Sequence, residues 1–172
     1  EGKIRELLQE AFSGARVFQG GGNEILGNDL QDMTLEAATN ALQRLYPQFH
    51  VADHAGWPKV YEKAQKGAPD ALKSVGDDGE PAKNPVCKAI LAFIAGGKKG
   101  IDIRKNFEGA TYGWPGDAVD GGLQVLLVAG LIRAQDDKGQ TIDPKDLERK
   151  VIGKTMFKVE SATVSAAQRI QI

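Results

Sequence analysis

Both histidines of the chain, His50 and His54, stand four residues apart with Asp53 between them. Imidazole nitrogens and carboxylate oxygens are ordinary ligands of Zn²⁺, so this pattern is a candidate metal site. The surrounding sequence predicts no convincing helix that would bring both imidazoles to one face, and a third ligand is not evident. We therefore interpret the histidines as surface or capping residues of a loop, and expect neither a metal site nor a catalytic centre.

Two glycine-rich segments, residues 20–22 and 96–100, are candidates for phosphate binding. A P-loop has the pattern GxxxxGK followed by Ser or Thr, in which backbone amides, the lysine and a magnesium-binding hydroxyl converge. The first segment is followed by Glu24, whose charge repels phosphate; the second follows a predicted helix and continues with Ile101. Neither segment fits the pattern, so we expect no nucleotide cofactor to bind here.

The single cysteine, Cys87, lies among apolar residues in a helical pattern. One cysteine excludes an internal disulfide and a cysteine-based zinc cluster, and we expect a buried structural thiol in a reducing compartment. The sequence has no apolar run of the roughly 20 residues that a membrane helix needs. These features predict a cytoplasmic protein without membrane contact. The 22 basic and 23 acidic side chains nearly cancel, so nucleic-acid binding would need a local basic patch.

The elements that must position these residues begin with a helical N-terminal part, residues 1–75. An apolar stripe between Ile4 and Phe12 predicts a first helix, and a short strand is expected at residues 15–19. A second helix is predicted to begin at an N-cap, Asp32 or Thr34, and to stop at Pro47. The apolar face of a third helix is formed by Trp57, Val60, Tyr61 and Ala64. Residues 76–84 are rich in glycine, proline and acidic side chains, which predicts a linker.

Residues 85–160 carry the most ordered pattern, three helices followed by a β-hairpin. The helices are predicted at residues 85–94, capped by Asn84, and at 101–107 and 117–129. The hairpin strands are predicted at residues 131–135 and 140–142, joined by a turn in which Gly139 takes a positive φ. A short helix at 143–150 and a strand at 155–160 that extends the sheet complete the module. This order is that of a winged helix-turn-helix, in a chain whose fold class is mainly α (α+β).

Residues 161–172 resemble the first turns of a further helix that the sequence cuts short, and the chain also opens in helical phase. We therefore expect this sequence to be a piece of a longer polypeptide.

The charges of the module argue against specific DNA recognition. The third helix holds the place of a recognition helix, yet it has no Lys or Arg, and its charges, Asp117 and Asp120, oppose phosphate. The candidate phosphate contacts lie elsewhere: Lys98, Lys99, Arg104, Lys105 and Lys138. These side chains either form a phosphate-facing edge or belong to an ordinary solvated surface, and the solvated surface is the favoured interpretation.

The run from Val86 to Ala134, with ARVFQGGG before it and TVSAAQR after it, resembles the C-terminal region of the BrxC/PglY family, the large P-loop ATPases of BREX bacteriophage-exclusion systems. The most specific part is the phrase YGWPGDAVDG, Tyr112 to Gly121. The resemblance spans nearly the whole chain.

The resemblance implies a parent protein that hydrolyses ATP with magnesium elsewhere in its chain and takes part in phage resistance. The implied partners are a site-specific DNA methyltransferase, a PglZ-type protein and small accessory proteins. No Walker motif is present in these residues, so this fragment is expected to be a non-catalytic interaction module rather than an enzyme. The candidate partner surface comprises Tyr112, Trp114, Asp117 and Asp120, and weak, non-specific DNA binding is the alternative function.

Overall fold

A computed structural model describes residues 1–160 of the chain, which are mainly α-helical with two small antiparallel sheets. The helix expected in residues 161–172 lies outside the described residues. The chain divides into two compact units, of which unit 1 comprises residues 1–47 and unit 2 begins at Gln48. No helix within residues 1–160 is both long and apolar enough to cross a membrane.

Unit 1 contains two helices and a β-hairpin. In chain order these are α1 (Gly2–Ser13), β1 (Val17–Gln19), β2 (Asn23–Ile25) and α2 (Leu30–Leu45). The hairpin turns through Gly21 and Gly22, which both have positive φ, the conformation that glycine adopts without strain. The first helix and strand were expected, but β2 was not.

The N-cap of α2 is Asp29, three residues before the earlier of the two predicted caps. Asp29 has an extended backbone, and its carboxylate accepts a hydrogen bond of 2.8 Å from the amide of Asp32. Thr34 cannot be the cap because it lies inside the helix, where its hydroxyl bonds back to the carbonyl of Leu30. Several polar residues follow one another here, and only the backbone conformation distinguishes the true cap.

Unit 2 contains the remaining elements. Its α-helices are α3 (Trp57–Gln65), α4 (Pro85–Ile94), α5 (Gly100–Glu108), α6 (Gly116–Val128) and α7 (Arg149–Ile152), with short 3₁₀ helices at Phe49–Val51, Ala71–Val75 and Pro81–Lys83. Its strands are β3 (Lys98–Lys99), β4 (Ile132–Gln135), β5 (Thr141–Ile142) and β6 (Met156–Val159), in the antiparallel order β3-β6-β4-β5.

Helix α6 lies at the centre of unit 2. Ten consecutive residues, Ala118 to Leu127, are buried, and the helix packs against α3, α4 and α5. Two glycines permit this close packing. A Cβ at Gly121 would lie 3.1 Å from the Trp57 ring, and one at Gly122 would lie 2.7 Å from Cδ1 of Ile90. The predicted role of this glycine pair, close approach of a neighbouring element, is confirmed.

The predicted linker at residues 76–84 does not separate two compact units. The face of α3 formed by Trp57, Val60, Tyr61 and Ala64 is buried as expected, but it packs on α6 and so joins residues 48–75 to the module. The segment 76–84 is itself ordered, because the Asp77 carboxylate accepts hydrogen bonds from the Gly79 amide and the Asn84 side chain. Its loop-like composition reflects local turns, and the chain divides after Pro47 instead.

The helix predicted at residues 143–150 is also wrong. Residues 144–146 form turns, and α7 is only four residues long. The backbone carbonyl of Leu147 accepts hydrogen bonds from the Tyr61 hydroxyl at 2.9 Å and from the Gln65 side chain at 3.2 Å. These long-range bonds and the complete burial of Leu147 hold the segment before α7 in a non-helical conformation.

The sheet of unit 2 confirms the predicted hairpin and adds a strand. The turn between β4 and β5 is organised by Asp136, and Gly139 has a φ of 80° as expected. Strand β6 pairs with β4 and so extends the sheet as predicted. The two-residue strand β3, which was not predicted, pairs with the other edge of β6, with Lys98 opposite Phe157.

The start of α5 should not tolerate even a methyl group at Gly100. A Cβ there would lie 1.9 Å from the backbone carbonyl oxygen of Ile152, and neither backbone can move without disturbing the bond from the Gly100 amide to Thr155. We expect Gly100→Ala to lower the free energy of unfolding, measured by urea denaturation, by about 1–3 kcal/mol.

Gly96→Ala is the matched control, since a Cβ at Gly96 meets no atom within 4 Å. Its effect should stay within about 0.5 kcal/mol. Equal stability of the two variants would contradict the close packing of α5 on α7.

Candidate functional site

The loop before α6 carries the residues singled out as a partner surface, and it is fixed to the start of unit 2. The indole N–H of Trp114 donates to the backbone carbonyl of Gln48 at 2.8 Å, and the Gln48 amide donates to the carbonyl of Thr111 at 2.9 Å. Thr111 has a φ of 81°, a strained value for a residue other than glycine. The surrounding hydrogen bonds hold the loop in this conformation.

An aromatic cluster holds the same loop against α5. The rings of Phe107 and Trp114 stack at 4.8 Å with an interplanar angle of 8°, and Tyr112 meets both rings edge-on. Trp114 is only 2% exposed, so it belongs to the core and offers no surface to a partner. Tyr112 is half-buried and remains the accessible member of the cluster.

Asp120 is the second predicted surface residue that the structure places inside. Its side chain is 7% exposed and receives two hydrogen bonds of 2.9 Å from the Arg104 guanidinium. Arg104 also donates to the backbone carbonyl of Arg149 at 3.1 Å. The Nε and Nη2 atoms of Arg104 are therefore engaged within the protein, and the side chain is 28% exposed, so Arg104 is less accessible to a phosphate than the exposed lysines are. The pair joins α5 to α6 and α7.

Asp117 lies at the accessible end of α6 and forms an ion pair with Arg149. Both side chains are about two-fifths exposed, so solvent and partners can reach them. The Arg149 guanidinium also lies 4.4 Å from the centre of the Tyr61 ring, a cation–π contact. Arg149 was not among the predicted site residues, because the helix expected at residues 143–150 gave no reason to place its side chain against α6.

The remaining predicted phosphate contacts differ in exposure. Lys98 is half-buried, with its ammonium 5.3 Å from the centre of the Phe93 ring. Lys99 on β3, Lys105 on α5 and Lys138 in the β4–β5 turn are exposed. These three residues fit the expected solvated surface as well as they fit a phosphate-facing edge.

Two further cations lie on the outer face of the sheet. Arg133 is directly opposite Lys158 in the register of β4 and β6, and their neighbours Ala134 and Phe157 point into the core. Residues alternate between the two faces of a strand, so Lys99, opposite Met156, lies on the same outer face. The predicted alternation at residues 155–160 could have identified this face.

Both histidines are exposed, as expected of surface residues. The Nδ1 atom of His54 accepts a hydrogen bond of 2.9 Å from the Gly56 amide in the turn before α3, but neither histidine caps that helix. Residues 20–22 form the β1–β2 turn, and residues 98–99 form β3. Within residues 1–160, no three His, Cys, Asp or Glu side chains lie close enough together to hold a metal ion.

No protein-family model, curated protein or solved structure matches this chain. The interpretation of its surface therefore depends on the geometry above.

The Arg104–Asp120 pair should contribute strongly to stability because Asp120 is buried. Arg104→Met removes the only ion-pair partner that Asp120 has within residues 1–160, and leaving a buried charge unpaired costs about 3–5 kcal/mol. We expect a loss of this size in the free energy of unfolding. Lys105→Met, which removes an exposed cation one residue away, should change it by less than about 0.5 kcal/mol. Similar losses in both variants would show that the pair contributes little.

Burial also affects the Cys87 thiol. Burial, together with the nearby Asp77 carboxylate, raises the pKa of Cys87 to about 12, whereas an unfolded cysteine titrates near about 8.5. The unfolded state therefore loses this proton first, and stability falls as pH rises between these two values. The free energy of unfolding should decline more steeply above pH 9 in the natural protein than in Cys87→Ala, by about 1.4 kcal/mol per pH unit. Parallel pH profiles would contradict a buried thiol.

Proposed function

We propose that residues 85–160 form a winged-helix module that docks a protein partner and has no catalytic role of its own. The observation that carries this proposal is the burial of α6. The winged-helix interpretation is supported by the element order α4, β3, α5, α6, β4, β6, in which β5 and α7 are inserted between β4 and β6, and by the strand order β3-β6-β4, to which β5 adds an edge strand.

In a DNA-binding module of this plan, the helix in the position of α6 inserts its N-terminal side chains into the major groove. Here α3 covers α6, and residues Ala118 to Leu127 are buried. The accessible charge at the start of the helix is the carboxylate of Asp117, which repels phosphate. A helix that is covered by protein and begins with a negative charge favours a structural role in a docking module over groove recognition.

The parent that we propose is a BREX phage-defence ATPase of the BrxC/PglY family, on the basis of the phrase from Tyr112 to Gly121. ATP and magnesium would then bind elsewhere in the parent chain, in the cytoplasm. The partners would be the methyltransferase, the PglZ-type protein or the small accessory proteins of the same system. Within the phrase, Tyr112 and Asp117 are accessible and are the residues that we propose to contact the partner.

An alternative function, weak and non-specific DNA binding, is favoured by one observation. Lys99, Arg133 and Lys158 share the outer face of the sheet, and Lys105 and Lys138 are also exposed. Binding of this kind depends on phosphate contacts alone and weakens steeply with salt.

Pull-down of each BREX component by the purified, tagged chain tests the docking proposal. We expect one component to be retained, and expect Tyr112→Ala combined with Asp117→Arg to reduce retention at least tenfold. Glu62→Arg, a charge reversal of an exposed residue on α3, is the control and should leave retention unchanged.

Retention of none of the components would overturn the docking proposal. A gel shift at low salt that is lost in Lys99→Glu with Lys158→Glu, but kept in Lys59→Glu, would favour the DNA alternative instead.

A further inference from the structure

Helix α2 has two apolar faces, and only one of them packs against another element of unit 1. Met33 and Ala37 lie on the half-buried face towards the β1–β2 hairpin, and the Gln19 side chain donates a hydrogen bond of 2.7 Å to the carbonyl of Ala37. The other face is a stripe formed by Leu35, Ala38, Leu42 and Leu45, which we call the α2 stripe. Its leucines are 66%, 58% and 51% exposed. No other element of unit 1 covers it.

The spacing of the α2 stripe is that of a coiled-coil seam. Its residues are separated by three, four and three positions, the alternation of a and d positions in a heptad. The positions that border the seam on either side carry no charge; they are Thr34, Thr39, Ala41 and Tyr46. In such seams the bordering residues decide which helices pair, by attraction or repulsion of their charges.

Unit 1 also lacks a core of its own. Nine of the twelve large hydrophobic side chains exposed within residues 1–160 belong to its 47 residues, and Ile25 is its only buried side chain. A unit of this size that buries so little apolar surface is not expected to be stable by itself. Covering the exposed apolar side chains of unit 1 with another surface would stabilise it.

We propose that this surface is a second copy of the chain, with one α2 stripe packed against the other. A two-fold contact brings the same residues together from both copies, so any charge beside the seam would face a like charge. The uncharged border of the α2 stripe meets this condition over three turns of the helix. The repeat of leucines with a small alanine between them also allows the two stripes to interlock as knobs and holes.

The size of the surface predicts a weak dimer. The three leucines of the α2 stripe could each bury roughly 50–80 Å². Together they offer on the order of 150–250 Å² per copy, well below the roughly 800 Å² of a standard interface. We therefore expect monomers and dimers to exchange and to depend on protein concentration.

Sedimentation equilibrium of the whole chain between about 10 µM and 1 mM tests the proposal, a range chosen to bracket weak association. The mass should rise with concentration from 18.4 kDa towards twice that value. Leu42→Glu places a charge in the seam and should hold the mass at that of the monomer. Leu26→Glu is the matched control, because Leu26 is 79% exposed and lies outside α2; it should associate like the natural protein.

Leu42 is exposed in the monomer, so Leu42→Glu should retain the helical circular dichroism of the natural chain at low concentration, and its effect can be assigned to association. A monomer at every concentration would overturn the proposal, as would association that Leu42→Glu leaves intact. Loss of association in Leu26→Glu as well as in Leu42→Glu would also overturn it, since the contact would then lie outside the stripe. The proposal does not depend on the docking function of unit 2.

Discussion

Unit 2 depends on one constraint, that a single helix, α6, is covered on all sides. A central helix of this kind must let its neighbours approach closely, which Gly121 and Gly122 permit at some cost in helix propensity. It must also find partners for the polar groups that it takes inside. The buried carboxylate of Asp120 is paired by Arg104, whose Nη2 atom also donates to the backbone carbonyl of Arg149. The Gln124 side chain donates to the carbonyl of Pro144, but its Oε1 atom has no hydrogen-bond partner within residues 1–160. The packing of α3, α5 and α7 thus depends on the glycine pair and the buried carboxylate of α6.

The same packing decides what the module can contact. A helix that is enclosed contributes stability through the apolar surface that it buries, and it gives up the surface with which it could enter a DNA groove. Contacts with other molecules are left to the end of α6 near Asp117, to the half-buried ring of Tyr112 and to the outer face of the sheet. The first two are the surfaces that we propose for a protein partner, and the sheet face is the surface that the DNA-binding alternative would use.

The amino-acid pattern predicted a structural feature correctly where local spacing or backbone chemistry alone determines that feature. The buried face of α3, the cap at Asn84 and the positive φ of Gly139 each follow from local spacing or backbone chemistry, and all three are observed. The burial of Asp120 could not be predicted, because α6 is covered on its polar side as well and the helical periodicity therefore shows no solvent-exposed face. The burial of Trp114 depends on its contacts with Phe107 and Gln48, which local spacing does not reveal. The two-residue strand β3 exists only through its pairing with β6. The sequence likewise identified the charged residues that could bind phosphate, but it could not show that the Arg104 side chain is paired with Asp120.

The hydrogen bond between Tyr61 and the carbonyl of Leu147 joins residues that are 86 positions apart, and Asp117 and Arg149 are 32 apart. Contacts between residues so distant along the chain form late, since a long loop must close before they contribute. During synthesis on a ribosome, α3 and α6 are made well before the segment that binds them both. The order of synthesis therefore leaves the central helix without α7 until the last part of the module emerges.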